Sequence, residues 1–338
     1  MSFERHIREQ PARLRALAPQ LVGTSHPLFS PAGRRLLRLS KVVLTGMGAS
    51  LYSCYPAYLR MANAGRPITL WETAELLHFA AGAMDAGTLV IAVSQSGETA
   101  EIVSLLARLP PSQPVLGITN VPGSTLGRRA DLLLELGAEP GSYPTTQTYV
   151  NSVTWLLGVV HAALEESMES FARAVEQAAA ALEALIEQSF SRPDPSLDSG
   201  RHLVFLARGA SLASAQQAAL LSQEVAGRGT AALSAASFRH GPIEMAGPGL
   251  QAVIFLPHGP TANLVENLAR DLEGFGARVL RIADERLGAG DWRHAPVAEE
   301  LAPLVNIAPA QVLAYRDALA AGREPGVFRQ ASGVTRIE

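Results

Sequence analysis

The segment LVIAVSQSGETAE, residues 89–101, changes from a strand pattern to a helix pattern across a short loop rich in hydroxyl groups. Its first five residues, Leu89 to Val93, form a continuous apolar run that predicts a buried strand. From Glu98 onward, apolar residues recur at the spacing of one helix face, which predicts a helix. A strand that leads through a loop into a helix is the building unit of α/β folds, so the segment favours that class.

The loop between this strand and helix has the properties of an anion site. It contains three hydroxyl side chains, Ser94, Ser96 and Thr99, ahead of a helix amino terminus. Free backbone N–H groups and the positive end of the helix dipole meet there, which favours a phosphate group. No Lys or Arg lies in residues 94–99, so we expect a small phosphorylated metabolite rather than a nucleoside triphosphate with magnesium. Ser and Thr are also common helix caps, and a purely structural role stays open.

The chain contains two similar halves. KVVLTGMGASLYS at 41–53 resembles HLVFLARGASLAS at 202–214, and both pass from an apolar strand into Gly-Ala-Ser-Leu. Residues 89–109 align in the same way with residues 252–272. Alternating strands and helices in each half predict two tandem flavodoxin-like α/β domains, each a parallel sheet flanked by helices.

The residue pattern of the two copies also predicts the individual strands and helices and the limits of the domains. We predict strands near 41–45, 67–71, 88–93 and 114–119 in the first copy, and near 202–207, 231–234, 251–256 and 278–282 in the second. Long helices are predicted over 146–190 and a last helix over 309–322. The predicted organisation is an N-terminal helix (1–30), a first, phosphate-binding domain with long helices (31–190), a second domain (191–322) and a C-terminal tail (323–338).

The second copy lacks the hydroxyl loop of the first. At the matching place it has Pro257-His258-Gly259-Pro260-Thr261, with too few hydroxyls to hold a phosphate. We therefore assign phosphate binding to the first copy and leave His258 without a defined role. Arg208 and Arg228, near the second Gly-Ala-Ser turn, are further candidates for an anion contact, although surface salt bridges are the favoured interpretation.

Composition excludes several classes of protein. Hydrophobic residues make up 48% of the 338 residues, charged residues 17%, and the formal charge is −3, so nucleic acid is not an expected partner. Cys54 is the single cysteine, which excludes an internal disulfide and a zinc site built on paired cysteines. No apolar run reaches the roughly 18 residues that a membrane span needs, and the start has no signal-peptide pattern. We expect a cytoplasmic protein.

Two motifs within the duplicated α/β unit carry a family resemblance. SQSGET at 94–99 follows a strand, and FRHGP occupies residues 238–242. With these motifs the chain resembles the sugar isomerase (SIS) family over roughly residues 30–338. Within that family it is most similar to the isomerase half of glutamine:fructose-6-phosphate amidotransferases and to stand-alone aminosugar-phosphate isomerases and deaminases.

The resemblance implies a phosphorylated sugar or aminosugar as substrate and assigns roles to individual residues. Glu224 matches the glutamate base that moves a proton between C1 and C2 of the open sugar. His240 matches the histidine that assists ring opening from a second subunit, so an obligate homodimer is expected. The implied substrate- and phosphate-binding residues are Gly48, Ser50, Ser94, Gln95, Ser96, Thr99, Thr145 and Ser332.

No metal and no cofactor are expected. His240 and Glu244 have the i, i+4 spacing of two metal ligands, but the sequence offers no third ligand.

Glu224 lies among Leu220, Leu221 and Val225, which favours partial burial and a raised pKa over a solvated helix face.

The chain departs from the family pattern at two lysines. The lysine that forms a Schiff base in the amidotransferases is replaced by Gly333 or Ser332, and the related STK motif reads Thr145-Thr146-Gln147. We see no glutaminase segment with its cysteine next to the initiator Met, so glutaminase activity is not expected. Isomerisation of a hexose 6-phosphate, deamination of an aminosugar phosphate and deglycation all stay open.

Two rival functions remain. Gly46-Met47-Gly48 with Glu72 after the next strand resembles a dinucleotide fingerprint, but Leu51 stands in place of its third glycine. The second rival is a regulatory protein that binds a sugar phosphate without catalysis. The pair Glu224 and His240 favours an enzyme over such a sensor.

Overall fold

The computed structural model describes residues 3–23, 27–141, 143–193, 197–198, 200–288, 290–330 and 333–337. The chain forms two compact units, and neither unit is continuous in sequence. The first-sheet unit comprises Ala12–Glu176 and Arg329–Glu338, and the second-sheet unit comprises Met1–Pro11 and Gln177–Phe328. The last ten residues therefore belong with the first sheet.

Each unit contains a five-stranded sheet and its helices. The strands of the first sheet are β1 (Lys41–Gly46), β2 (Ile68–Glu72), β3 (Thr88–Val93), β4 (Val115–Thr119) and β5 (Leu132–Glu135). Its helices are α2 (Pro31–Leu37), α3 (Ala49–Asn63), α4 (Thr73–Phe79), α5 (Ala100–Arg108), α6 (Thr125–Arg129) and α7 (Gln147–Ala163).

The strands of the second sheet are β6 (His202–Ala207), β7 (Thr230–Ser234), β8 (Leu250–Leu256), β9 (Arg278–Asp284) and β10 (Trp292–His294). Its helices are α9 (Leu212–Leu221), α10 (Ala235–Arg239), α11 (Ala262–Gly274) and α12 (Ala302–Ala320), while α1 (Phe3–Leu17) and α8 (Met168–Ser191) have residues in both units.

The two sheets have the same strand order. The first is β2-β1-β3-β4-β5, and the second, written in the same direction, is β7-β6-β8-β9-β10. All neighbouring strands are parallel. The order reverses between β1 and β3 and again between β6 and β8, and open α/β sheets bind ligands at the carboxyl edge of such a switch point. The prediction of two tandem flavodoxin-like domains is confirmed.

The strand β3 shows why the sequence forms this fold. All six of its residues are buried, as expected for a central strand with helices on both faces. On the following helix α5, Ile102, Leu105 and Leu106 pack into the same apolar cluster as Val90 and Ala92. Each such side chain contributes about 1.5–3 kcal/mol when fully buried. This packing fixes the loop between β3 and α5 at the carboxyl edge of the sheet.

The sequence predicts eight of the ten described strands to within two residues at each end, and it misses β5 and β10. Both missed strands are short and lie at a sheet edge, where the apolar pattern is weakest. The predicted start of the last helix at 309 is wrong, because α12 begins at Ala302 and continues through Pro309. None of the helices in the described ranges combines the length and apolarity needed to cross a bilayer.

Candidate functional site

The loop after β3 is folded by its own hydroxyl groups. The Oγ atom of Ser94 accepts a hydrogen bond from the Gly97 N–H, and that of Ser96 accepts one from the Glu98 N–H, both at 3.1 Å. Gly97 has a φ of 65°, and a Cβ at this position would collide with the Oγ atom of Ser124. Only glycine therefore allows this turn. Each hydroxyl that accepts a bond keeps its own O–H as a donor for a ligand oxygen.

Two other side chains of the loop attach it to neighbouring helices. Gln95 Oε1 accepts a hydrogen bond from the Thr148 hydroxyl at 3.3 Å, which joins the loop to α7. The Glu98 carboxylate accepts bonds from the backbone N–H and the hydroxyl of Thr125, at 2.6 and 2.9 Å. Glu98 thereby joins the loop to the first residue of α6, whose N-cap is Ser124, and α5 begins at Ala100 and not at Glu98 as predicted. These bonds join the loop to α6 and α7.

Thr99 precedes the first residue of α5, and its hydroxyl makes no helix-capping hydrogen bond. It lies 3.5 Å from the Oγ atom of Ser94, so two hydroxyls share one location at the helix amino terminus. A helix amino terminus with adjacent hydroxyl donors is a favourable place for a phosphate. The capping alternative therefore fails for Thr99, while Ser94 and Ser96 do bond to backbone N–H groups of their own loop.

The loop after β1 lies on the other side of the switch point. Gly46 and Val93 are register partners at the ends of β1 and β3, so the loops that follow these strands start side by side. Gly48 has a φ of 50° and precedes α3, of which half-buried Ser50 is the second residue. Within the first-sheet unit, the structure thus brings Gly48 and Ser50 to the same sheet edge as the hydroxyl loop.

Thr145 and the C-terminal tail belong to the same unit. Thr145 is half-buried and lies two residues before α7 begins. Gly333 packs against the ring of Tyr143, since a Cβ at Gly333 would lie 2.6 Å from Cε2 of that ring. A longer side chain at position 333 therefore needs a shift of the ring or of the tail. Ser332 lies outside the described residues.

Glu224 lies in the second-sheet unit, in the π-helical turn Ser222–Ala226 that follows α9. Such π turns inside helices are frequent at functional sites. Burial raises the pKa of Glu224 to about 7. In the described part of the chain, its Oε2 atom has no hydrogen-bond partner. A half-buried carboxylate with this pKa can exchange a proton near neutral pH, as the sequence predicted.

His240 follows α10 and is exposed. Its backbone N–H donates to the Ser237 carbonyl at 3.0 Å, and Gly241 follows with a φ of 120°. Buried Phe238 anchors the turn two residues earlier. The turn therefore presents the histidine ring at the surface of its unit.

Arg228 has a structural role. Its guanidinium lies 3.4 Å from the Asp317 carboxylate and donates to the Arg201 carbonyl. The salt-bridge interpretation is thus confirmed for Arg228. Sequence reasoning missed Tyr143, for which only its place beside Thr145 offered a signal.

Among the residues that the structure describes, no group of three or more His, Cys, Asp or Glu side chains is placed to hold a metal.

The chain is similar to proteins of a known family. The SIS domain family model matches residues 36–165 and 196–320. The glutamine–fructose-6-phosphate aminotransferase (isomerizing) of Pyrococcus horikoshii is 28% identical over 317 residues, which cover 90% of this chain and 53% of that protein. The corresponding enzyme of Methanothermobacter thermautotrophicus is 29% identical over 310 residues, covering 89% and 52%. The chain spans about half the length of these relatives.

Solved structures show the same fold. The glucosamine-6-phosphate deaminase of Thermotoga maritima superimposes with a TM-score of 0.80 at 19% identity, covering 99% of both chains. The tagatose-6-phosphate ketose/aldose isomerase of Escherichia coli gives a TM-score of 0.75 at 22% identity, covering 97% of both. Since the family model matches most of the chain in two successive regions, the protein belongs to the SIS domain family.

Proposed function

We propose that the protein is a sugar-phosphate isomerase or an aminosugar-phosphate deaminase that moves a proton between C1 and C2 of a hexose 6-phosphate. The relatives at 28–29% identity carry isomerising aminotransferase names, and the similar folds include a deaminase and a ketose/aldose isomerase. The observation that carries the proposal is the Glu224 carboxylate, half-buried and with a pKa raised to about 7. A base with that pKa is matched to proton abstraction next to a carbonyl at neutral pH.

The phosphate is assigned to the loop after β3. Ser94, Ser96 and Thr99 donate their hydroxyl protons to phosphate oxygens, and the amino terminus of α5 adds the helix dipole. No cationic side chain lies in this loop, so hydrogen bonds and the dipole hold the anion. Gly48, Ser50 and Gln95 lie at the same sheet edge, and they are assigned, with Thr145 of the same unit, to orient the sugar.

Glu224 and His240 are the proposed reacting groups. In the open-chain aldose, the Glu224 carboxylate takes the C2 proton, an enediol forms, and the proton returns to C1 to give the ketose. For a 2-amino sugar the same transfer gives a ketimine, which water hydrolyses with release of ammonia. His240 assists ring opening, and its exposure suits action in the site of a second subunit of a homodimer.

The tail bears on the choice between these reactions. With Gly333 against the Tyr143 ring, a lysine at this position would need a shift of the ring or of the tail. We therefore infer that the reaction proceeds without a Schiff base formed from residue 333.

A substrate panel tests the proposal. Fructose 6-phosphate, glucosamine 6-phosphate and glycated sugar phosphates are assayed for ketose–aldose exchange and for ammonia or amine release, and binding is followed by thermal shift. Turnover of at least one substrate supports the enzyme. Binding without turnover across the panel would overturn it in favour of a regulatory sugar-phosphate-binding protein.

A further inference from the structure

The carboxyl end of α7 borders a cavity that the proposed function does not use. This cavity lies within the first-sheet unit and has a volume of about 400 Å³, which is in the range of small-molecule sites. Its walls come from the 3₁₀ turn Pro27–Phe29, from α2, from the last turn of α7 and from the start of α8. The hydroxyl loop is bonded to the opposite end of α7, through Gln95 and Thr148. At 1.5 Å of rise per residue, about 20 Å of helix separates the two places.

The inner wall of the cavity is apolar. It contains three buried side chains, Leu28, Leu37 and Met168. Ala162 and Ala163 of α7 complete this wall with small side chains, which leave the space beside them open. A wall of this composition favours the hydrocarbon part of a ligand, because its burial removes apolar surface from water.

Arg34 is an exposed lining residue of the cavity with most of its donors unused. Its Nε atom donates a hydrogen bond of 2.9 Å to the Phe29 carbonyl, which ties the guanidinium to the 3₁₀ turn. Among the residues that the structure describes, its two Nη atoms make no hydrogen bond and no ion pair. A guanidinium has five N–H donors, so those on the Nη atoms are available to a carboxylate.

The other charged side chains of the cavity are paired. Glu166 accepts a hydrogen bond of 2.5 Å from Arg60. Glu165 and Arg38 lie 3.5 Å apart, and both are largely exposed. Within the described part of the chain, Arg34 is therefore the charged lining residue that has no partner of opposite charge. The cavity combines an apolar wall with one available cation.

Arginines in the last turn of a helix also interact favourably with its dipole, and this structural role applies to both Arg34 and Arg35 of α2. Arg35 is exposed as well, but it is not a lining residue of the cavity. The two arginines therefore form a matched pair, in which the contribution of the dipole is shared and the contact with the cavity is not.

We propose that this cavity binds a small amphipathic monocarboxylate, whose carboxylate pairs with Arg34 and whose hydrocarbon part packs against Leu28, Leu37 and Met168. One available cation matches one anionic group, and the apolar wall matches a hydrocarbon body. A sugar phosphate is a polar dianion without such a body. The cavity thus takes a different class of ligand from the loop after β3.

Octanoate is the probe, and acetate and 1-octanol each contain one half of its chemistry. Binding to the full chain is measured by isothermal titration calorimetry, with octanoate below the concentration at which it forms micelles. We expect saturable binding of octanoate, about tenfold or more tighter than that of octanol, because octanol lacks the ion pair. Acetate is expected to show no measurable binding, because it lacks the hydrocarbon chain. Equal affinities for octanoate and octanol, or no saturable binding of octanoate, would overturn the proposal.

Two charge reversals on α2 locate the binding. Arg34→Glu is expected to weaken octanoate binding by about tenfold or more, since it replaces an ion pair with a repulsion. Arg35→Glu makes the same change of charge outside the cavity, and its affinity is expected to stay within about twofold of the native value. Equal weakening in the two variants would indicate a general effect of charge and contradict the proposal, as would native affinity in Arg34→Glu.

Filling the cavity tests its apolar half. Ala163→Leu places a larger side chain in the space beside the apolar wall, and we expect octanoate binding to weaken by about tenfold or more with the unfolding midpoint retained. Native affinity in this variant would contradict the location of the site. If Ala163→Leu does not fold, the comparison of Arg34→Glu with Arg35→Glu still decides the question. None of these measurements depends on turnover, so their failure is separate from a failure of the proposed function.

Discussion

The carbonyl oxygen of Thr335 accepts a hydrogen bond of 3.1 Å from the backbone N–H of Ala100, the first residue of α5. The tail is thereby joined to the helix whose amino terminus we assign to the phosphate. Two residues earlier, Gly333 packs against Tyr143 in the segment that leads to Thr145. The tail therefore contacts elements that the proposal assigns to the substrate.

Displacing the tail tests its contribution to binding. Gly333→Val places side-chain atoms where the Tyr143 ring lies, so the tail or the ring must shift. We expect KM for the sugar phosphate to rise by about 3–10-fold, which corresponds to the loss of roughly one hydrogen bond. Arg336→Ala, on the exposed tail, serves as the control. Gly322→Ala is not suitable as a control, because Gly322 has a φ of 65° that alanine rarely adopts. Unchanged KM in Gly333→Val would mean that the tail has no part in binding.

The geometry of the hydroxyl loop predicts a stability difference between two glycines. Gly97→Ala requires a positive φ from alanine and a collision with Ser124, so we expect a loss of about 1–3 kcal/mol of unfolding free energy. Gly123→Ala, with nothing within 4 Å of its Cβ, should be close to neutral. Denaturant titration of both variants provides the comparison. Similar losses in the two variants are incompatible with the described turn.

Phosphate contacts are expected to affect KM more than kcat. Ser96→Ala removes one hydroxyl from the loop, and because that contact is remote from C1 and C2, ground state and transition state lose it equally. We expect KM to rise by about 2–10-fold with kcat nearly unchanged. Ser112→Ala, an exposed serine in the same unit, serves as control. A loss confined to kcat would contradict the assignment of Ser96 to the phosphate.

The raised pKa of Glu224 predicts the pH dependence of both activity and stability. Since the base acts as a carboxylate, kcat/KM should fall as the pH drops below about 7. The folded pKa exceeds that of the unfolded chain, so the folded state binds the extra proton between those values. The contribution of Glu224 to stability is therefore full below about 4.5 and is lost as the pH rises through about 7. Glu224→Gln should flatten this part of the stability profile, and an unchanged profile would refute the pKa assignment.

Subunit complementation tests the role of His240. In a homodimer whose sites take Glu224 from one subunit and His240 from the other, Glu224→Gln and His240→Ala are each inactive. Mixed dimers of the two variants contain one site with both residues intact. We expect activity to reappear when the two variants are refolded together, and its absence in confirmed mixed dimers would place both residues in the same subunit's site.

Most of the sheet architecture could be predicted because β3 and its repeat are continuous apolar runs of strand length, whereas apolar residues in the helices that follow recur at helical spacing. The hydroxyl loop was predictable for the same reason, since it interrupts such a run. The short edge strands were not predictable, and neither was the attachment of the tail to the first-sheet unit. The Glu299 carboxylate lies against Gly209 and Gly259, which are 40 or more positions away in the sequence. Because the contact joins distant segments, no local sequence pattern predicts it.

Proton exchange at C1 of fructose 6-phosphate, or at C2 of glucosamine 6-phosphate, tests the central claim most directly. The native chain and Glu224→Gln are incubated in D₂O with fructose 6-phosphate or glucosamine 6-phosphate, and deuterium incorporation is followed by NMR. We expect exchange with the native chain and a rate reduced by about 10²–10⁴-fold in Glu224→Gln, with phosphate binding retained and with Glu244→Gln behaving as native. Equal exchange rates in the native chain and Glu224→Gln would contradict the role of Glu224 as the base.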